Sequence, residues 1–156
     1  MDFKPMMNGL LKGTVVPRTQ PDEIWNDKGG IYTIWGDSEL KKILLPKGLD
    51  LHASQQNGRM VTLSMRKAIK RSVTRLDADG SELFCFYIGK TAHLKKRMAI
   101  QRYPKVWQLL GLKNSGVLKA MLQISFCEMS SWEDRFFAEG YAIALLLPVM
   151  NAQPER

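Results

Sequence analysis

The sequence predicts a mixed α/β domain in which short strand-like runs alternate with segments of helical spacing. Leu83 to Ile88 is a run of aromatic, β-branched and other apolar residues, which reads as a strand. Gly89 punctuates it, and Leu94 and Met98 then return at helical spacing among basic residues. Two further segments, Ile31 to Trp35 and Lys119 to Cys127, alternate in the manner of strands. At 156 residues the chain is expected to form one domain able to bury its own core.

Composition narrows the class of partner. There are 23 Lys and Arg against 15 Asp and Glu, a formal net charge of +8. Such an excess serves solubility in any case, but it favours a polyanion such as nucleic acid. Cys85 and Cys127, the only cysteines, both fall in expected strands and make no disulfide framework. Buried thiols in a reducing, cytoplasmic setting are the expectation. The first twenty residues lack the continuous apolar stretch of a signal peptide, and no apolar run is long enough to span a membrane.

Taken in order, residues 1–28 are mixed and broken by Pro5, Pro17 and Pro21, so an arm over the domain is expected. Pro21 to Trp25 suits a short helical turn, with a proline and acids at its start. Gly29-Gly30 admits the first strand, with Ile31, Thr33 and Trp35 on one face and Tyr32 and Ile34 on the other. Residues 37–81 then separate this strand from the next. Ser38 to Leu45 reads as a short helix stopped by Pro46, and Lys47 to Arg59 as loop. Met65, Ile69, Val73 and Leu76 form one apolar stripe, predicting a helix over Thr62–Leu76. Arg66, Lys67, Lys70, Arg71 and Arg75 occupy the rest of its surface, either as a solvated face or as a DNA contact. The Asp77–Gly80 turn leads into the second strand.

The strand, glycine and basic helix from Phe86 to Arg97 gather backbone N–H groups and cations, Lys90 and Lys96 among them, in one place. That suits a phosphate. Beyond it, Pro104 breaks the pattern and residues 106–112 make a short apolar segment. The third strand puts Leu122, Ile124 and Phe126 on one face. Ser130 and Glu133 then have the spacing of a capping box, opening a helix that Pro148 stops. On that helix Trp132, Phe136, Glu139 and Ile143 share a stripe. A glutamate on a buried stripe must be paired, neutralised or bound to a metal, because a lone buried charge costs several kcal/mol.

Gly30-Ile31-Tyr32, Tyr87-Ile88-Gly89, Arg97 ten residues beyond Tyr87, and Asn151 twelve beyond Glu139 stand in this order along the chain. Together they resemble the signature of the GIY-YIG nuclease family. The resemblance implies a three-stranded antiparallel sheet flanked by helices, and hydrolysis of DNA phosphodiesters with one Mg²⁺ or Mn²⁺ per site. It implies that Tyr32 contacts or deprotonates the attacking water and that Tyr87 orients water or phosphate. Arg97 would stabilise the phosphoryl oxygens, Glu139 would hold the metal, and Asn151 and Gly89 would support the site. Cutting both strands would favour a homodimer or two successive nicks.

The chain departs from that signature in two places. Roughly fifty residues separate the two motif strands, where relatives commonly have a short hairpin. Gln101 occupies the position one turn after Arg97, where some relatives carry a proton-transferring histidine or tyrosine; neither His93 nor Tyr103 fits that turn. Two alternatives follow, a nucleic-acid-binding module that kept the fold without turnover, and an interaction protein whose basic helix docks an acidic partner.

Overall fold

The computed structural model describes residues 2–17, 27–47, 50–56, 59–99 and 120–151. Its centre is β2 (Gly30–Gly36), buried along its whole length between β6 (Glu82–Thr91) and β7 (Leu122–Glu128). Both pairings are antiparallel, and β5 (Thr74–Leu76) adds to the free edge of β6. On the other side, the two residues of β1 (Val16–Pro17) pair with β7. The sheet thus has four strands in the order β7-β2-β6-β5, with β1 at its rim, rather than the expected three. The expected turn at Pro21–Trp25, the apolar segment at 106–112, Gln101 and Tyr103 lie outside the described residues.

A bulge decides what β6 shows to each face. Ile34 pairs with Tyr87, yet the next residue, Trp35, pairs with Cys85, so Phe86 is an extra residue on β6. Leu83, Cys85 and Ile88 consequently pack on one face, and Phe84, Phe86 and Tyr87 on the other. β2 alternates as its sequence suggests, with Ile31 and Trp35 against Tyr32 and Ile34.

The face holding Tyr32 and Tyr87 is covered by α2 (Ser38–Leu44), α3 (Met65–Arg71) and the start of α4 (Leu94–Ala99). Asp37 caps α2 by accepting a hydrogen bond from the Leu40 N–H at 2.9 Å. The expected loop at Lys47–Arg59 instead contains β3 (Asp50–Gln56), which pairs with β4 (Arg59–Ser64) as a separate two-stranded ribbon. The helix expected over Thr62–Leu76 shrinks to α3. Ser72 donates its hydroxyl hydrogen to the Ile69 carbonyl at 2.7 Å and turns extended, which ends the helix. Thr74–Leu76 are then taken up by the open edge of β6, and Leu76 is exposed rather than part of a stripe.

The opposite face is covered by α1 (Lys4–Lys12) and α5 (Trp132–Leu146). Helix α1 lies within the segment expected as an arm over the domain: Pro5 sits in its first turn, and Met6, Met7 and Leu10 are buried on the sheet. The Leu10 carbonyl near its C-terminal end accepts from Ser125 Oγ at 2.8 Å and from Arg75 at 2.8 Å. Helix α5 is capped by Ser131, which accepts from the Asp134 N–H, one residue later than the Ser130–Glu133 box. Leu147 closes it in the left-handed region at φ 50°, and Val149 and Met150 donate to the Cys85 and Phe86 carbonyls along β6. Cys85 and Cys127 lie in the one sheet as free thiols, both pushed above the ordinary thiol pKa by burial. No helix among the described residues is long and apolar enough to cross a membrane.

Candidate active site

The four residues from Tyr87 to Lys90 on β6 receive side chains from distant parts of the chain. Tyr32 stands opposite Gly89, and Ile34 opposite Tyr87, which sets the two tyrosines on neighbouring strands. Their ring centroids are 6.2 Å apart with an interplanar angle of 38°. Counting by strict alternation from Cys85 would send Tyr87 to the α1/α5 face. The bulge at Phe86 turns it onto the face of Tyr32. Gly89 is needed for a steric reason, since a Cβ there would overlap the Tyr32 ring carbons and hydroxyl. Both rings are buried, Tyr32 at 1% exposure and Tyr87 at 8%.

Asn151 is buried against the same strand. Its Oδ1 accepts from the Ile88 N–H at 3.2 Å, and its Nδ2 donates to the Ile88 carbonyl. The side-chain amide therefore does for Ile88 what a neighbouring strand would do. With Val149 and Met150, which donate to the Cys85 and Phe86 carbonyls, Asn151 continues the edge of the motif strand.

Lys90 follows on the other face. Its Nζ is 3.0 Å from Glu139 Oε1, where the Glu139 side chain is fully buried and that of Lys90 is 17% exposed. Glu139 thus has the charged partner that burial demands. Sequence reasoning placed Lys90 among the phosphate-facing cations and missed this pairing. The signal was present, because two-residue periodicity puts Lys90 on the face of Ile88, which packs under α5. The expected stripe on α5 is correct only in its second half: Glu139 and Ile143 are buried, whereas Trp132 is 65% exposed and Phe136 39%.

Arg97 lies one turn beyond Leu94 on α4. Leu94 is buried in the packing that holds both tyrosines, and its N–H donates to the Lys28 carbonyl at 2.9 Å, tying α4 to the segment entering β2. Arg97 is half-buried and Lys96 exposed. His93 faces Asp27 at 3.4 Å, both well exposed. On α3, Arg66, Lys67, Lys70 and Arg71 are all exposed, while Met65, Ala68 and Ile69 are buried beneath them. Arg75 leaves that set: it lies on β5, donates to Leu10 and Gly13 carbonyls at 2.8 and 2.7 Å, and stands 5.7 Å over the Trp35 ring.

Among the described residues no group of three or more His, Cys, Asp or Glu side chains gathers to hold a metal ion. The donor set fits a hard divalent cation in one form, a single carboxylate ligand with water and phosphate oxygens filling the rest. Glu139 would be the residue to supply that carboxylate, and only if Lys90 yielded it. No protein-family model matches the chain, and no curated protein and no solved structure matches it either.

Proposed function

We propose that this protein is a divalent-metal-dependent DNA endonuclease of the GIY-YIG type. The observation that carries the reading is convergence on one end of β6. Tyr32 lies over Gly89, Asn151 holds Ile88, and Glu139 reaches Lys90, although these partners are up to 63 residues apart in sequence. Tyr32, Ile88, Gly89, Glu139 and Asn151 also belong to the sequence resemblance, which supports the reading; Arg97, on α4, is carried over from the resemblance alone.

In this reading a water oxygen attacks phosphorus and one P–O ester bond breaks, with the departing oxygen taking up a proton from solvent water. Tyr32 receives the proton of the water. A phenol has a pKa of about 10, so it acts as a base near neutrality only beside positive charge. Tyr87, its ring beside that of Tyr32, orients the water or the phosphate. Arg97 holds the phosphoryl oxygens, for which a planar guanidinium that keeps its charge is well suited. Glu139 would hold Mg²⁺ or Mn²⁺, which when bound supplies Lewis-acid stabilisation of the charge developing on oxygen. Lys90 then moves from Glu139 towards the phosphate, and the exposed cations Lys96, Arg66, Lys67, Lys70 and Arg71 contact the DNA backbone. Homodimer formation is part of this proposal only if both strands are cut in one encounter.

The 3.0 Å Lys90–Glu139 contact favours a second reading, in which the pair is a structural ion pair and the protein binds DNA without cutting it. Incubating supercoiled and linear DNA with Mg²⁺, with and without a chelator, separates the two. Chelator-sensitive nicking supports the nuclease. Retained DNA binding with no cleavage under any divalent metal supports the binding module.

A further inference from the structure

The first turns of α5 expose large aromatic side chains where a surface helix usually carries polar ones. Trp132 is 65% exposed and Phe136 39%, and their rings are stacked at 5.9 Å with an interplanar angle of 21°. Lys90 Nζ lies 5.7 Å from the Phe136 centroid as well as 3.0 Å from Glu139. We infer that Trp132 and Phe136 form a stacking platform for an unpaired nucleobase, beside the Lys90–Glu139 pair. The inference rests on the DNA reading of that pair and narrows its substrate class to DNA with an unstacked nucleotide at the site.

Three features favour a base as the occupant. Phe136 is three residues from Glu139 on the helix, a spacing of about 5–6 Å between Cβ atoms, so a nucleotide with its phosphate near Lys90 brings its base to the rings. An exposed indole backed by a second ring, which in turn has an ammonium over it, has the make-up of single-strand sites, where aromatic faces take bases and cations take the backbone. Glu133 and Asp134 in the same first turn repel phosphate, which sends the backbone to the Lys90 side and leaves the indole for the base. The chain's net charge of +8 supplies the attraction over longer range.

The test measures binding alone, with chelator present so that nothing is cut. Fluorescence anisotropy would compare a labelled single strand of roughly twelve nucleotides with the same strand made of abasic sites. Wild-type protein should prefer the ordinary strand about tenfold. Trp132→Ala should fall to the abasic level, and Trp132→Phe should keep most of the preference. The residue is largely exposed, so unchanged thermal midpoints are expected and are measured on the same samples. Equal affinity of the wild type for both strands, or a preference that survives Trp132→Ala and Phe136→Ala, overturns the platform. A concentration-dependent dimer that Trp132→Ala dissociates, with no base preference, assigns the rings to a second copy and also overturns it. A protein that selects bases but never cleaves DNA keeps the platform and sinks the nuclease reading.

Discussion

The two faces of the sheet are built on different terms. Under α2 and α3 the packing is apolar and aromatic, with Tyr32, Tyr87, Phe84 and Phe86 filling the space beside aliphatic side chains. Under α1 and α5 it is aliphatic in the main but contains a buried charge pair, Lys90–Glu139, at one end. The proposed catalytic groups are thus divided, tyrosines on one face and carboxylate on the other. What they have in common is a stretch of β6, where Gly89 lies against Tyr32 on one face and the adjacent Lys90 turns to Glu139 on the other. A substrate acted on by both halves would meet that stretch, not either face.

The largest expected effect concerns the charged half. Replacing Lys90 by Met keeps much of the volume and strands a fully buried carboxylate. Breaking a buried pair in this way costs about 3–5 kcal/mol. For a chain of this size that lowers the thermal midpoint by roughly 6–20 °C. Glu139→Gln in the same background should recover most of the loss, since the amide carries no charge. A midpoint for Lys90→Met within a degree or two of wild type would show that Glu139 does not depend on this lysine.

Next comes activity, and here the two faces should behave alike. Glu139→Gln and Arg97→Ala each remove a group needed mainly as charge develops at phosphorus, worth about 3–4 kcal/mol or a few hundredfold in rate. Nicking of supercoiled DNA and thermal midpoint are read on the same preparations. Loss of nicking in folded protein with DNA binding retained is the expected result. Wild-type nicking by well-folded Glu139→Gln would remove the metal site from the reading.

The division between faces was only partly legible in the sequence. Alternation in Ile31–Trp35 predicts the observed faces of β2, because that strand is regular and paired on both sides. The Tyr87 face was not legible. It depends on the extra residue Phe86, and nothing local to Leu83–Ile88 marks a bulge. The Thr62–Leu76 stripe misled for a related reason: helical spacing among apolar residues is a local signal, whereas the pairing of Thr74–Leu76 depends on an edge that only the folded sheet provides. Helix α1 was hidden by Pro5, although a proline is harmless in a first turn. Glu139 and Asn151 were legible as a spacing, and what each touches had to come from the fold.

The bulged strand gives a third and smaller expectation. Asn151→Ala leaves the Ile88 N–H and carbonyl without their side-chain partner, a loss of about 1–3 kcal/mol for buried groups. Asn151→Asp keeps the acceptor for the Ile88 N–H but, once ionised, has no donor for the Ile88 carbonyl, whereas the neutral acid can supply both, so its midpoint should move towards wild type as the pH is lowered and the acid is protonated. Amide exchange at Ile88 should speed up in Asn151→Ala beyond the change at Ile34 on the central strand. Equal acceleration at both would mean general loosening and no particular brace on β6.

The smallest effect is expected outside the strand pair altogether, on α3. Met65, Ala68 and Ile69 anchor this helix beneath the tyrosine face, so its exposed cations can be removed without disturbing the core. Converting Lys67, Lys70 and Arg71 together to alanine should leave the thermal midpoint within about 6 °C, as exposed substitutions usually change stability by under about 0.5 kcal/mol each. Each phosphate contact contributes about 0.9 to the slope of log affinity against log salt on duplex DNA. If all three residues touch phosphates, the slope falls by roughly 2.7. If the helix is a solvated face, the slope stays where it was, and net charge alone weakens binding slightly at low salt. Titration across a range of salt concentrations, on a DNA too short to bind two molecules, distinguishes these outcomes. A slope unchanged within error would remove Lys67, Lys70 and Arg71 from the DNA-contacting surface and leave them as a solvated face over the packing of Met65, Ala68 and Ile69.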